Sequence, residues 1–199
     1  MQVIFDLGRV LLEWQPDEIL ARHTSDMDKR DALRRAIYAH ADWLALDKGT
    51  MTEAEAVPLF ARRADCSEAE VKALLNLTKA MLTIKSDTLE ILEALASNSI
   101  PVYCLSNMAV ETWDFISRRY EFFELFQHIA ISGQLKMMKP EPEIFEHLLE
   151  KAEFPAEQTI FIDDHRPNVE AAETLGIQGH VFENAEDCRH ALRVYFDFL

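Results

Sequence analysis

Asp6 ends an apolar run, Val3-Ile4-Phe5, almost at the start of the chain. A carboxylate placed straight after a buried segment is costly unless something uses its charge. The pattern recurs: Val102–Leu105 runs into Ser106-Asn107, and Ile160–Ile162 runs into Asp163-Asp164. Lys139 stands before Pro140, downstream of a fourth apolar run at Ile129–Ile131. Three carboxylates gathered in one small space repel each other and invite a cation or a shared proton. Oxygen donors without His or Cys suit a hard ion such as Mg²⁺, which keeps some of its waters and binds phosphate oxygens. Ser106 and Asn107 carry donors for such oxygens. Lys139 can neutralise charge and hold Asp6 ionised. An aspartate in line with phosphorus can attack it and form an aspartyl-phosphate.

The elements that must position these groups follow from periodicity. The four apolar runs, with a fifth at His180–Phe182, read as short buried strands. Helix-like segments separate them at 108–120, 141–152, 167–175 and 186–197. Strand alternating with helix implies parallel strands covered on both faces. In such a sheet ligands bind beyond the carboxyl ends of the strands, where Asp6, Ser106 and Asp163 fall. The stretch from 15 to 98 differs. Its apolar residues fall at helical spacing (Leu33, Ile37, Leu44; Val71, Leu74, Leu75), and Thr52–Glu55 and Ser67–Glu70 read as capping boxes. Four or five helices are expected there, the last (87–98) returning to the sheet. A helical insert over 16–84 therefore interrupts an α/β domain made of 1–15 and 85–199.

The chain of 199 residues carries a net charge of −15. Such a field repels nucleic acid and anionic membrane alike, so no nucleic-acid or membrane partner is expected. Three scattered cysteines suggest free thiols. With no apolar run near the ~18 residues of a span, the expected location is the cytoplasm and the expected state a monomer or small homo-oligomer. The five glycines build neither GxGxxG nor a P-loop.

Four stretches carry a resemblance: VIFDLG, VYCLSN, MMKPEPEIF and IFIDDHRPNVEAAETLG. In this order the chain resembles the haloacid dehalogenase-like hydrolase superfamily, and within it the small bacterial sugar-phosphate phosphatases of the α-D-glucose-1-phosphate phosphatase kind. The resemblance implies a three-layer Rossmann-like core with strand order 3-2-1-4-5 and 16–84 as a type 1 cap. It implies Asp6 as nucleophile and metal ligand, the carbonyl of Gly8 as a second ligand, and Asp164 as a third, with Asp163 supporting it. Ser106 and Asn107 would bind phosphate, and Lys139 would balance charge on Asp6 and the phosphoryl group. The implied cofactor is Mg²⁺ and the implied substrate a small phosphorylated metabolite. Asn168 falls where a further aspartate is common.

Gly8 departs from that pattern. Most phosphatases of the family place there an Asp that protonates the leaving oxygen and then activates water, help typically worth ~10²–10⁴-fold. Three readings are open. A sugar 1-phosphate leaves as a hemiacetal and needs less protonation; a dehalogenase also lacks that Asp; a degenerate member would only bind phosphate or a partner. The Asp163-Asp164 pair favours the first over the second, since expelling a halide needs no metal. Arg9 and His165 are secondary candidates. Trp14 and the Phe122–Phe126 segment read as core, whereas Trp43 and Asp47-Lys48-Gly49 lie in the cap stretch that faces the active site in similar proteins.

Overall fold

A computed structural model describes residues 1–199. The first strand, β1 (Gln2–Phe5), is buried throughout. Five helices follow: α1 (Pro16–His23), α2 (Met27–Ala36), α3 (Ala41–Asp47), α4 (Glu53–Ala64) and α5 (Glu68–Ala80). Helix α6 (Ser86–Ser97) leads back to β2 (Val102–Ser106), then α7 (Val110–Ile116), β3 (His128–Ile131), the single turn α8 (Ser132–Leu135) and α9 (Pro142–Leu149). The chain ends with β4 (Thr159–Asp163), α10 (Arg166–Thr174), β5 (Gln178–Val181) and α11 (Ala185–Leu192). The sheet is parallel, in the order β3-β2-β1-β4-β5, with β1 at its centre. A right-handed crossover through α6 is the natural route from β1 to its parallel neighbour β2.

Burial on both faces explains why the strands read as continuous apolar runs. Val3 and Phe5 pack into one apolar cluster with Cys104 and Ile162, whereas Ile4 points to the opposite face among Tyr103, Phe145 and Phe161. The insert has its own cluster, with Leu33, Ile37, Phe60, Val71 and Leu74 at its heart. Each such fully buried side chain contributes about 1.5–3 kcal/mol. No helix is long and apolar enough to cross a membrane, and Cys66, Cys104 and Cys188 are free.

Several expectations need correction. Residues 15–98 form six helices, not four or five, because α3 is only seven residues long and too short for its periodicity to register. The fifth strand begins two residues earlier than expected, at Gln178, with Gly179 packed so closely that a Cβ would lie 2.4 Å from Val169. The Thr52 capping box forms as expected. That at Ser67 forms by half: Ser67 accepts from the Glu70 N–H, but the Glu70 carboxylate turns to Lys29 at 2.6 Å.

Insert and sheet domain meet most tightly just after α3. Gly49 has φ +73° and lies so near Gly133 that a Cβ would fall 2.0 Å from its carbonyl oxygen. Beside it Lys48 pairs with Glu141, and the Ser132 hydroxyl donates to the Asp47 carbonyl. Gly49→Ala is therefore expected to destabilise the protein by about 2–3 kcal/mol, through left-handed backbone strain and a clash with a main chain that must shift. A thermal melt checks this; an unchanged midpoint would mean that the two backbones do not meet in solution.

Candidate active site

Parallel strands bring the polar groups together. Val3 and Phe5 align with Val102 and Cys104 on one side and with Ile160 and Ile162 on the other, so β1, β2 and β4 end level with one another. Asp6, Ser106 and Asp163 thus emerge at adjacent strand tips. Lys139 comes from the loop before α9, its side chain 1% exposed. Its ammonium lies 2.8 Å from Asp6 Oδ1 and 2.6 Å from Asp163 Oδ2, and it donates to the Leu105 carbonyl at 2.8 Å. Burial alone would push this ammonium down, but Asp6 and Asp163 together outweigh it and hold it well above the ordinary lysine range.

The carboxylates show the opposite balance. Burial pushes Asp6 up to about 6; Lys139 pulls it back and Asp163 pushes it further. Burial, then Asp163, raises Asp164 against the pull of Arg9, whose Nη1 is 3.4 Å from Asp164 Oδ2. One buried lysine does not neutralise three acids. The contact from Lys139 to Asp6 Oδ1 is an ion pair outside the geometry of an aligned hydrogen bond, which leaves this buried oxygen without a hydrogen-bond donor.

The donor set fits a hard cation. Oxygens of Asp6, Asp163 and Asp164 lie within 4.8 Å of one another. Two oxygens bound to one Mg²⁺ at ~2.1 Å are at most ~4.2 Å apart, so small side-chain movements close the set. Asp163 and Asp164 differ, however. Asp163 is fully buried and its oxygens are occupied: the His165 N–H donates at 2.8 Å, and Asn168 Nδ2 reaches both, at 3.1 and 3.0 Å. Asp164 opens into the cavity. Asn168, at the start of α10, is a donor to Asp163, which explains why an amide can stand where an acid is common.

Asn107 has a different place from the one its type suggests. Its Nδ2 donates to the Lys139 carbonyl and its Oδ1 accepts from the Lys139 N–H, each at 2.9 Å. It fixes the lysine backbone and keeps one amide hydrogen for a ligand. Neither Ser106 nor Asn107 caps a helix, since α7 starts beyond Ala109. Ser106 instead lines the cavity.

That cavity, of about 270 Å³, is bounded by Asp6, Gly8, Ser106, Asn107, Lys139 and Asp164 from the sheet side, and by Trp14, Trp43 and Asp47 from the insert side. Trp14 packs against the apolar clusters of both sheet domain and insert, as expected of a core residue, and also lines the cavity: it stacks on Trp43 at 5.6 Å, while Tyr38 packs edge-on against Trp43 at 4.9 Å. Phe122 and Phe123 are buried as expected. Burial pushes the Asp47 carboxyl up to about 8, although the Ala109 N–H and the Trp43 indole favour its charged form and Asp6 disfavours it. It is half-buried and lines the cavity.

A family model of haloacid dehalogenase-like hydrolases matches residues 3–176. The chain belongs to this family. Among curated relatives, a drimenol cyclase of Aspergillus calidoustus, drtB, is 27% identical over 197 residues, which are 98% of this chain but 36% of the cyclase. The chain therefore spans about a third of that relative's length. A sesquiterpene phosphatase of Aspergillus oryzae, astK, is 26% identical, covering 93% of this hydrolase-family chain and 91% of its own. A D-ribitol-5-phosphate phosphatase of Bacteroides thetaiotaomicron is 31% identical over 102 residues, 48% of this chain and 50% of the relative. Among solved structures, a variant of the family enzyme bt-2542 of Bacteroides thetaiotaomicron, in complex with magnesium and inorganic phosphate, superposes with a TM-score of 0.78 at 25% identity, covering 96% of this chain and 98% of that one.

Proposed function

We propose that this chain is a Mg²⁺-dependent phosphomonoester hydrolase, acting on a small sugar phosphate through an aspartyl-phosphate on Asp6. The observation that carries the reading is the cluster of Asp6, Asp163 and Asp164 at adjacent strand tips, with Lys139 buried between two of them. In this reading Asp6, Asp164 and the Gly8 carbonyl hold the ion, which supplies charge neutralisation for the phosphate dianion. Asp163 supports it by orienting Lys139 and the start of α10. Ser106 and the free amide hydrogen of Asn107 bind phosphate oxygens. Lys139 keeps Asp6 ionised and balances the transferring group. Residues 16–84 act as the cap over a core of 1–15 and 85–199, and closure excludes bulk water while the ester is cleaved.

Support for a phosphate ester over a haloacid comes from the metal-type donor set, from bt-2542 with magnesium and phosphate, and from relatives named as phosphatases. A cavity of about 270 Å³ lies below the ~300–1,000 Å³ of sites for drug-sized ligands, which favours a sugar-sized alcohol. A second reading has its own observation: the stacked Trp14 and Trp43 on the cavity suit an apolar alcohol such as the terpenyl group of the fungal relatives.

The test is release of phosphate and halide from a panel containing glucose 1-phosphate, glucose 6-phosphate, ribitol 5-phosphate, farnesyl phosphate and 2-chloropropionate, with Mg²⁺ or with EDTA. Phosphate release from a sugar ester, abolished by EDTA, is expected. A preference for farnesyl phosphate would move the substrate to the second reading. Halide release insensitive to EDTA would overturn the phosphatase assignment.

A further inference from the structure

We propose that Asp47, carried on the last turn of α3, is the acid–base residue of the reaction and stands in for the side chain that Gly8 lacks. The proposal rests on the phosphatase reading above. Its basis is the arrangement of the cavity. Three carboxyls line it: Asp6, Asp164 and Asp47. Asp6 has Lys139 beside it and Asp164 has Arg9, but Asp47 is in no ion pair. A half-buried carboxyl with no cation beside it is the one best kept as the neutral acid, able to give up a proton.

Position supports the same role. At Gly8 a Cβ would meet nothing within 4 Å, so the space that an acid there would fill is open to a group arriving from the other wall. Asp47 lines the same cavity from that wall, and its main chain is firmly seated. Its neighbour Leu46 is buried in the cap cluster, and its own carbonyl accepts from the Ser132 hydroxyl. The Met108 N–H donates to that hydroxyl at 2.8 Å, tying the turn to the end of β2. His165 also lines the cavity, but from the sheet side beside Asp164 rather than from the opposite wall.

The chemistry balances in two steps. An Asp6 oxygen bonds to phosphorus, the bond from phosphorus to the ester oxygen breaks, and the Asp47 proton passes to that oxygen, giving the free alcohol. The Asp47 carboxylate then takes a proton from water as the water oxygen bonds to phosphorus. The Asp6–phosphorus bond breaks, releasing inorganic phosphate and regenerating Asp6 as a carboxylate and Asp47 as an acid. The raised affinity of Asp47 for its proton accords with both steps.

The experiment compares kcat/KM, which reports the phosphoenzyme-forming step, for two esters with Mg²⁺ present. Ribitol 5-phosphate expels a poor leaving group that needs a proton, and p-nitrophenyl phosphate a good one that does not. Asp47→Asn should lower kcat/KM by ~10²–10⁴-fold for the first and by under about tenfold for the second. Gly8→Asp placed in the Asp47→Asn background should recover at least about tenfold of the loss on ribitol 5-phosphate, because it puts a carboxyl into the open space at position 8. Equal losses on both esters, or no loss on either, would overturn the role of Asp47 while leaving the phosphatase reading intact. Failure of the wild-type protein to release phosphate from either ester would remove that reading and this inference together. Thermal melts of each variant separate a lost acid from a lost fold.

Discussion

Asp6→Asn is expected to reduce phosphate release by about 10⁴-fold or more, because in the proposed reaction Asp6 is the nucleophile and without it no phosphoenzyme forms. Acid-quenched wild-type protein should carry phosphate on the peptide containing Asp6, and the variant none, by mass spectrometry. Stability should move the other way. Burial holds the Asp6 carboxyl up at about 6, so between about pH 4 and 6 the folded chain keeps a proton that the unfolded chain has lost. Stability in EDTA therefore falls as pH rises through that window. The amide cannot ionise, so the variant should lack this part of the slope and melt no lower than wild type at neutral pH. A variant that stays active would place the nucleophile elsewhere; one that melts far lower would show that the Asp6–Lys139 pair is a net stabiliser.

Lys139→Met should have the second large effect. The side chain is 1% exposed and lies between Asp6 and Asp163. Its removal leaves two buried carboxylates facing each other, and loss of one partner from such a group costs ~3–5 kcal/mol. For a chain of this length each kcal/mol moves the melting point by roughly 2–4 °C, so a fall of about 6–20 °C in EDTA is expected. Mg²⁺ should restore part of that fall, since it returns positive charge to the same carboxylates, but not activity, since the charge beside the transferring group is still missing. A melting point unchanged in EDTA would mean that the carboxylates simply take up protons at little cost.

Much of this was legible in the sequence, for a physical reason. Strands covered on both faces must be apolar along their length, so a polar residue directly after one marks a strand tip, and parallel pairing brings such tips together. Asp6, Ser106 and Asp163 could be placed at one edge on that ground alone. What remained hidden depended on distances between segments far apart in sequence. Asn107 carries the donors expected of a phosphate ligand, yet both ends of its amide meet the Lys139 backbone. Asp163 and Asp164 are neighbours with opposite surroundings, one saturated by donors and one open. Trp14 reads as core and does pack against two apolar clusters, but only the fold reveals that it also faces the cavity. Asp47 lies in a helix of seven residues, too short for any period to tell which face is inside.

The contact between Gly49 and Gly133 has a consequence for how this enzyme can change over generations. Because two main chains touch there, the tilt of α3 is set by backbone atoms that substitutions away from the two glycines leave in place, and Trp43 and Asp47 hang from that beam. New selectivity can be tried out by swapping side chains along the helix without upsetting its attachment. Insertions or deletions between residues 41 and 49, in contrast, would shift the whole beam and ought to be rare among functional descendants of this gene. Deep mutational scanning with single-codon deletions across that segment would show it as a sharp band of intolerance flanked by tolerant surface helix.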